Sequence, residues 1–103
     1  MRHMRIARYE ITNGSFQDVA DTAKTGLLPM FRELPGFVRY GVADVGEKSL
    51  MSISLWETRE QAEAASPVAA TWVKENIQDR VQLRENYLGD FAFDQGIDVP
   101  AKV

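Results

Sequence analysis

The sequence predicts an α+β domain with the order β-α-β-β-α-β, and three observations carry that prediction. Four segments alternate in side-chain character with period two, and two repeat their apolar residues at helical spacing. Turn or capping residues punctuate each junction. The two middle strands are separated by a short turn, which makes them an antiparallel hairpin.

The first strand is residues 4–11, MRIARYEI, in which Met4, Ile6 and Arg8 alternate with Arg5, Ala7 and Tyr9. Thr12, Asn13 and Gly14 supply turn chemistry. Ser15 is placed as a helix N-cap, with Asp18 near the positive helix end. Phe16, Val19, Ala20, Ala23, Leu27, Met30, Phe31 and Leu34 then make one apolar helix face. Gly26 and Pro29 interrupt it, so a kink or split is expected near residues 25–29. Pro35-Gly36 ends the segment.

Residues 37–44 form the second strand, with Val38, Tyr40 and Val42 opposite Phe37, Arg39, Gly41 and Ala43. Residues 45–48, VGEK, turn the chain into a third strand over residues 49–57. There Met51, Ile53 and Leu55 share one face and Ser52, Ser54 and Trp56 the other. Thr58 and Gln61 make a T-x-x-Q capping box for the second helix. Ser66-Pro67 reads as a further cap, after which Ala69, Trp72, Val73 and Ile77 carry a helical face to near Val81. The last strand is residues 84–94, with Tyr87, Gly89, Phe91 and Phe93 on one face. The order is the ferredoxin-like one, a four-stranded antiparallel sheet with both helices on one face. Residues 1–94 form the single domain, and residues 95–103 a tail, either loose or an arm onto a partner subunit.

The uncovered sheet face should then be polar. It is not: the third strand carries apolar groups on both faces. A bare apolar face of that size is a sticky patch, and a second copy packed against it is the economical cover. A homodimer is therefore expected.

Composition narrows the function classes. The chain has no cysteine, which excludes disulfides, thiolate metal sites and a cysteine nucleophile. No apolar run reaches the roughly 18 residues that cross a bilayer, and the N-terminus lacks the apolar core of a signal peptide. A soluble, cytoplasmic protein with no membrane partner is the expectation. The 12 basic and 15 acidic residues are interleaved and the net charge is −3, so no basic stripe offers itself to nucleic acid. The RNA-binding domains of this topology place aromatic and basic residues at the centre of the third strand, where SLMSISLW has neither. No G-x-S-x-G, H-E-x-x-H, phosphate loop or metal-ligand spacing occurs, so no metal is expected.

Two stretches, LPGFVRYGVAD and SLMSISLWETREQAEAA, resemble the antibiotic biosynthesis monooxygenase-like domain of the dimeric α+β barrel superfamily. The likeness covers roughly residues 4–94 and rests on the Leu-Pro-Gly-Phe approach to the second strand and on Leu-Trp-Glu closing the third. The resemblance implies a two-fold barrel of paired sheets. It also implies either a cofactor-free oxygenation of quinol or anthrone-type aromatics or the degradation of haem. The haem branch needs an Asn, a Trp and a His where this chain has Ala7, Ala65 and Glu75. Its only histidine, His3, precedes the predicted first strand, so the haem reading is disfavoured.

The quinone-forming branch lines its pocket with the third-strand Trp and a polar residue four before it, here Trp56 and Ser52. Trp56 either stacks an aromatic ligand or packs against a helix or the partner subunit. Trp72 either closes the same cleft or fills core. Ser52 either hydrogen-bonds a phenolic oxygen or is satisfied locally. Tyr40, Tyr87 and Tyr9 are candidate donors. Arg39 and Arg8 either steady a phenolate or face water. His3 is either a proton acceptor or a solvated chain end. The expected ligand site is thus Trp56, Ser52, Trp72 and Tyr40, with catalytic residues unassigned. The first reading is a cofactor-independent monooxygenase-like protein acting on a small planar phenolic. The rival is a non-catalytic binding or assembly module of the same fold.

Overall fold

The computed structural model describes residues 1–96. The predicted order holds: β1 His3–Ile11, α1 Phe16–Arg32, β2 Phe37–Gly46, β3 Ser49–Trp56, α2 Arg59–Asn76 and β4 Val81–Asp90. The sheet order is β2-β3-β1-β4, with every pair antiparallel. This is the ferredoxin-like α+β arrangement.

Both helices start as the sequence dictates. Ser15 Oγ accepts the Asp18 backbone N–H at 3.1 Å. Thr58 and Gln61 close a reciprocal box at 3.2 and 3.1 Å. The interiors depart from expectation. α1 runs unbroken through Gly26 and Pro29, and α2 through Pro67. Each proline removes one helical hydrogen bond, a loss that burial of the apolar stripe offsets. Those stripes are Val19, Ala23, Leu27 and Phe31 on α1, and Ala62, Ala65, Ala69 and Trp72 on α2. Gly26 serves close approach, because a Cβ there would lie 2.7 Å from the Trp72 ring.

α2 ends at Asn76, before the predicted Val81, and β4 is shifted earlier than predicted. Pairing sets the β4 limits: Ile11 faces Val81 at one end of β1 and His3 faces Asp90 at the other. Past Asp90 one more backbone bond follows, from the Phe91 N–H to the Arg2 carbonyl at 3.1 Å, and Phe91 and Phe93 lie beyond the strand. The predicted tail lies almost wholly outside the described residues.

Register assigns every strand residue to a face. Under the helices the cross-strand rows are Phe37–Trp56–His3–Asp90, Tyr40–Ser54–Arg5–Leu88 and Val42–Ser52–Ala7–Asn86. Leu50, Tyr9 and Leu83 form the next row. The opposite face presents Met4, Ile6, Met51, Ile53 and Leu55, each half-buried, with exposed Tyr87 beside them. It is the apolar face the sequence predicted, and neither helix covers it.

Candidate functional site: a cavity beneath the helices

The centre of the covered face is built from small residues. Ala7, Ser52 and Ser54 sit side by side on β1 and β3, where bulky groups would fill the space below the helices. Of these Ser52 borders a small cavity of about 20 Å³, lined also by Tyr9, Tyr40, Leu27, Ala69 and Trp72, among others. That is room for a single water.

Polar groups converge on this apolar space. Burial pushes the Tyr40 hydroxyl above its ordinary value of 10.0; a hydrogen bond with Ser52 opposes the shift, Tyr9 adds to it and the Arg5 charge opposes it. Burial likewise raises Tyr9, with the Arg5 guanidinium opposing. Both phenols are therefore neutral donors at physiological pH. Among the described residues, no carboxylate or imidazole lines the cavity.

Three of the four residues expected at the site, Ser52, Tyr40 and Trp72, come together here. Trp56 stands outside. It is fully buried, and its indole Nε1 donates to Ser54 Oγ at 2.9 Å. Its ring meets Phe31 edge-on, with centroids 5.3 Å apart, and Phe31 in turn meets Tyr40 at 5.0 Å. Trp56 thus supports Tyr40 from behind, through Phe31.

Arg8 and Tyr87 lie on the opposite sheet face. Arg8 Nε donates to Glu85 at 2.6 Å, and the Tyr87 hydroxyl donates to Glu85 at 3.0 Å. Arg39 faces outward on the same side. His3, expected as a solvated end, is buried in β1, with Nδ1 2.5 Å from Asp90 Oδ1 and Nε2 without a partner. It does not line the cavity.

The sequence reading missed Arg5. The side chain is only 4% exposed and lies on the covered face in the row of Tyr40 and Ser54. Its Nε donates to Ser66 Oγ at 3.0 Å. Ser66, read as a cap, is instead the acceptor that ties α2 to β1. The available signal was strand alternation, which puts Arg5 on the face of Ala7, Tyr9 and Ile11.

A domain that couples a ferredoxin-like sheet to a phenol-lined cavity under its helices has the fold of the antibiotic biosynthesis monooxygenase-like proteins. No protein-family model matches the chain, and no curated protein does. Solved structures do match. SnoaB, a cofactor-independent oxygenase from Streptomyces nogalater, superposes with a TM-score of 0.69 at 16% identity, over 95% of this chain and 98% of its own. A putative antibiotic biosynthesis monooxygenase from Nitrosomonas europaea gives 0.68 at 16% identity, over 92% and 94%. A dimeric ferredoxin-like protein from an uncultured marine organism gives 0.71 at 10% identity, over 94% and 100%.

Proposed function

We propose that the cavity binds a small, planar, hydroxylated aromatic and that the protein oxygenates it without a bound cofactor. The observation that carries this reading is the convergence of Tyr40, Ser52 and Tyr9 on an otherwise apolar space walled by Trp72. The likeness in fold to a cofactor-independent oxygenase supports it.

In this reading each group has a task. Trp72 stacks the ring. Tyr40 and Ser52 hydrogen-bond the ligand oxygen and stabilise negative charge on it. With no base among the lining residues, the substrate loses its phenolic proton to solvent and is bound as the anion. The electron-rich anion then reduces dioxygen directly. For an anthrone-type methylene, two C–H bonds break, one oxygen atom stays as a carbonyl and the other leaves as water. Apolar walls exclude solvent from the reacting carbon.

The apolar outer face is proposed to pair two copies into a homodimer. Met4, Ile6, Met51, Ile53 and Leu55 supply a continuous surface for it. Such a dimer would keep the face out of water and leave the cavity on the far side of each sheet.

The rival, a non-catalytic binding or assembly module, is favoured by the size of the cavity. A ring enters only if the helix layer moves. Oxygen uptake by chelator-treated protein, across a panel of quinols and anthrones, separates the two. Uptake above the autoxidation rate, lost in a Tyr40→Phe/Ser52→Ala double variant, is expected. Uptake that never exceeds autoxidation, or that the double variant leaves unchanged, overturns the oxygenase reading.

A further inference from the structure

A second depression lies beside the first. It is a groove of about 520 Å³ between α2 and β4, and Tyr9, Val73 and Val81 line both spaces. Its polar lining is one-sided in charge. Among the described residues, Arg5 and Lys74 contribute cations and no Asp or Glu contributes an anion, on a chain whose net charge is −3.

Arg5 is the unusual member. Among the described residues, the ion pairs of arginine join Arg2, Arg8, Arg59 and Arg84 to carboxylates, and none includes Arg5. Yet Arg5 is the deeply buried one. A guanidinium carries five N–H donors and stays charged at any physiological pH. Ser66 takes the Nε donor. The Tyr9 hydroxyl takes a second hydrogen bond from the guanidinium, and of its five N–H donors the rest are left for another acceptor. Burying a charge without a counter-charge is destabilising, and a methionine would fill the same volume without that penalty. An arginine held there, oriented by a hydroxyl and aimed along a groove without acids, has the form of a counter-ion awaiting its anion. Planar two-point hydrogen bonding suits a carboxylate.

We propose that this groove is a carboxylate subsite with Arg5 as its counter-ion, and that the ligand of the inner cavity is an aromatic acid. The inference rests on the reading of the cavity as an aromatic site. The shared wall of Tyr9 and Val73 sets the geometry: the ring lies under the helices while its acid group reaches past Tyr9 to Arg5. Lys74, at the exposed rim, draws the anion in.

The test titrates the full chain and its Trp56→Phe variant with 1-hydroxy-2-naphthoic acid, its methyl ester and 1-naphthol, followed by calorimetry and, in the variant, by quenching of Trp72 fluorescence. The acid should bind at least ~10-fold more tightly than the ester, the margin expected of a charge-assisted pair. Arg5→Met should remove that preference while leaving naphthol affinity unchanged. Arg5→Lys should restore part of it. Arg5→Met should also unfold at a higher temperature than the parent when ligand is absent, the reverse of losing a merely structural arginine. Equal binding of acid and ester by the unmodified protein overturns the subsite and leaves the aromatic cavity standing; this comparison needs no variant. A preference that survives in Arg5→Met also overturns it. Binding of none of the three overturns both readings.

Discussion

The Trp72 indole lies against Gly26 so closely that a Cβ on the glycine would sit 2.7 Å from the ring, pinning α1 and α2 together directly above the cavity. Two opposed effects meet there. Alanine is a better helix former than glycine by about 1 kcal/mol. Overpacking against a buried ring costs about 1–3 kcal/mol. Since Trp72 is itself buried, it cannot swing aside, and the clash wins. Gly26→Ala should lower stability by about 1 kcal/mol in urea unfolding. A gain in stability would show that the helices separate freely.

The two tryptophans should separate in their effects. Trp56→Phe strands the Ser54 hydroxyl and thins the aromatic cluster, at about 1–3 kcal/mol of stability. Ligand affinity should change less than ~2-fold, within the noise expected for a residue outside the contact set. Trp72→Phe should weaken aromatic binding by ~10-fold, in the range of a lost stacking contact. Reversed effects in a titration would place the ligand on the other side of Phe31.

Alkaline pH should loosen the fold. Tyr9 and Tyr40 hold their protons more tightly folded than unfolded, because burial raises both above 10.0. Their contribution is complete below that unfolded value and is lost as pH climbs through the raised folded values. The unfolding free energy from urea titrations should stay flat up to about that pH and then fall, by at most ~1.4 kcal/mol per pH unit for each tyrosine. Tyr40→Phe should make the decline shallower. An unchanged decline would mean that other groups govern it.

The β2–β3 hairpin stores backbone strain. Glu47 and Lys48 both have positive φ, 53° and 60°, as a two-residue turn of this hand requires, although neither is glycine or asparagine. Replacing the pair with Asn-Gly should stabilise the domain by about 1 kcal/mol. Chemical denaturation measures it, and a loss would mean that one of the replaced side chains makes a stabilising contact.

A charge at the centre of the outer face should split the proposed dimer. Ile53 pairs with Ile6 across β1 and β3, in the middle of the sheet. Ile53→Glu should convert a sedimenting dimer into a monomer at micromolar concentration, as expected when an unpaired charge must be desolvated at an interface. A dimer that persists unchanged would put the contact elsewhere.

Much of the fold was legible because its signals are local. Period-two alternation marked the strands, Ser15 and Thr58 marked the helix starts, and the apolar run in β3 announced the exposed face. The errors came where tertiary contacts override local rules. Pro29, Pro67 and Gly26 read as breaks, yet burial of the helix stripes carries both helices through them. The limits of β4 are set by β1, far away in sequence. Ser52, Tyr40 and Trp72, expected together from the family resemblance and the strand and helix patterns, do line one cavity. Arg5 was not legible, because alternation in β1 gives each face one arginine and only the packed helices decide which is covered. Ser66 looked like a cap for the same reason: its partner lies on another element.

The floor of small residues has a practical consequence. Ala7, Ser52 and Ser54 occupy the two central strands, where any larger side chain would disturb the ladder and both neighbouring rows at once. Tailoring the protein to a bulkier guest therefore has to begin in the roof, at Leu27 or Val73, where trimming leaves the strands alone. Diversity of guests on this scaffold is a matter of re-carving helices, and the sheet serves as the fixed bench on which that carving is done.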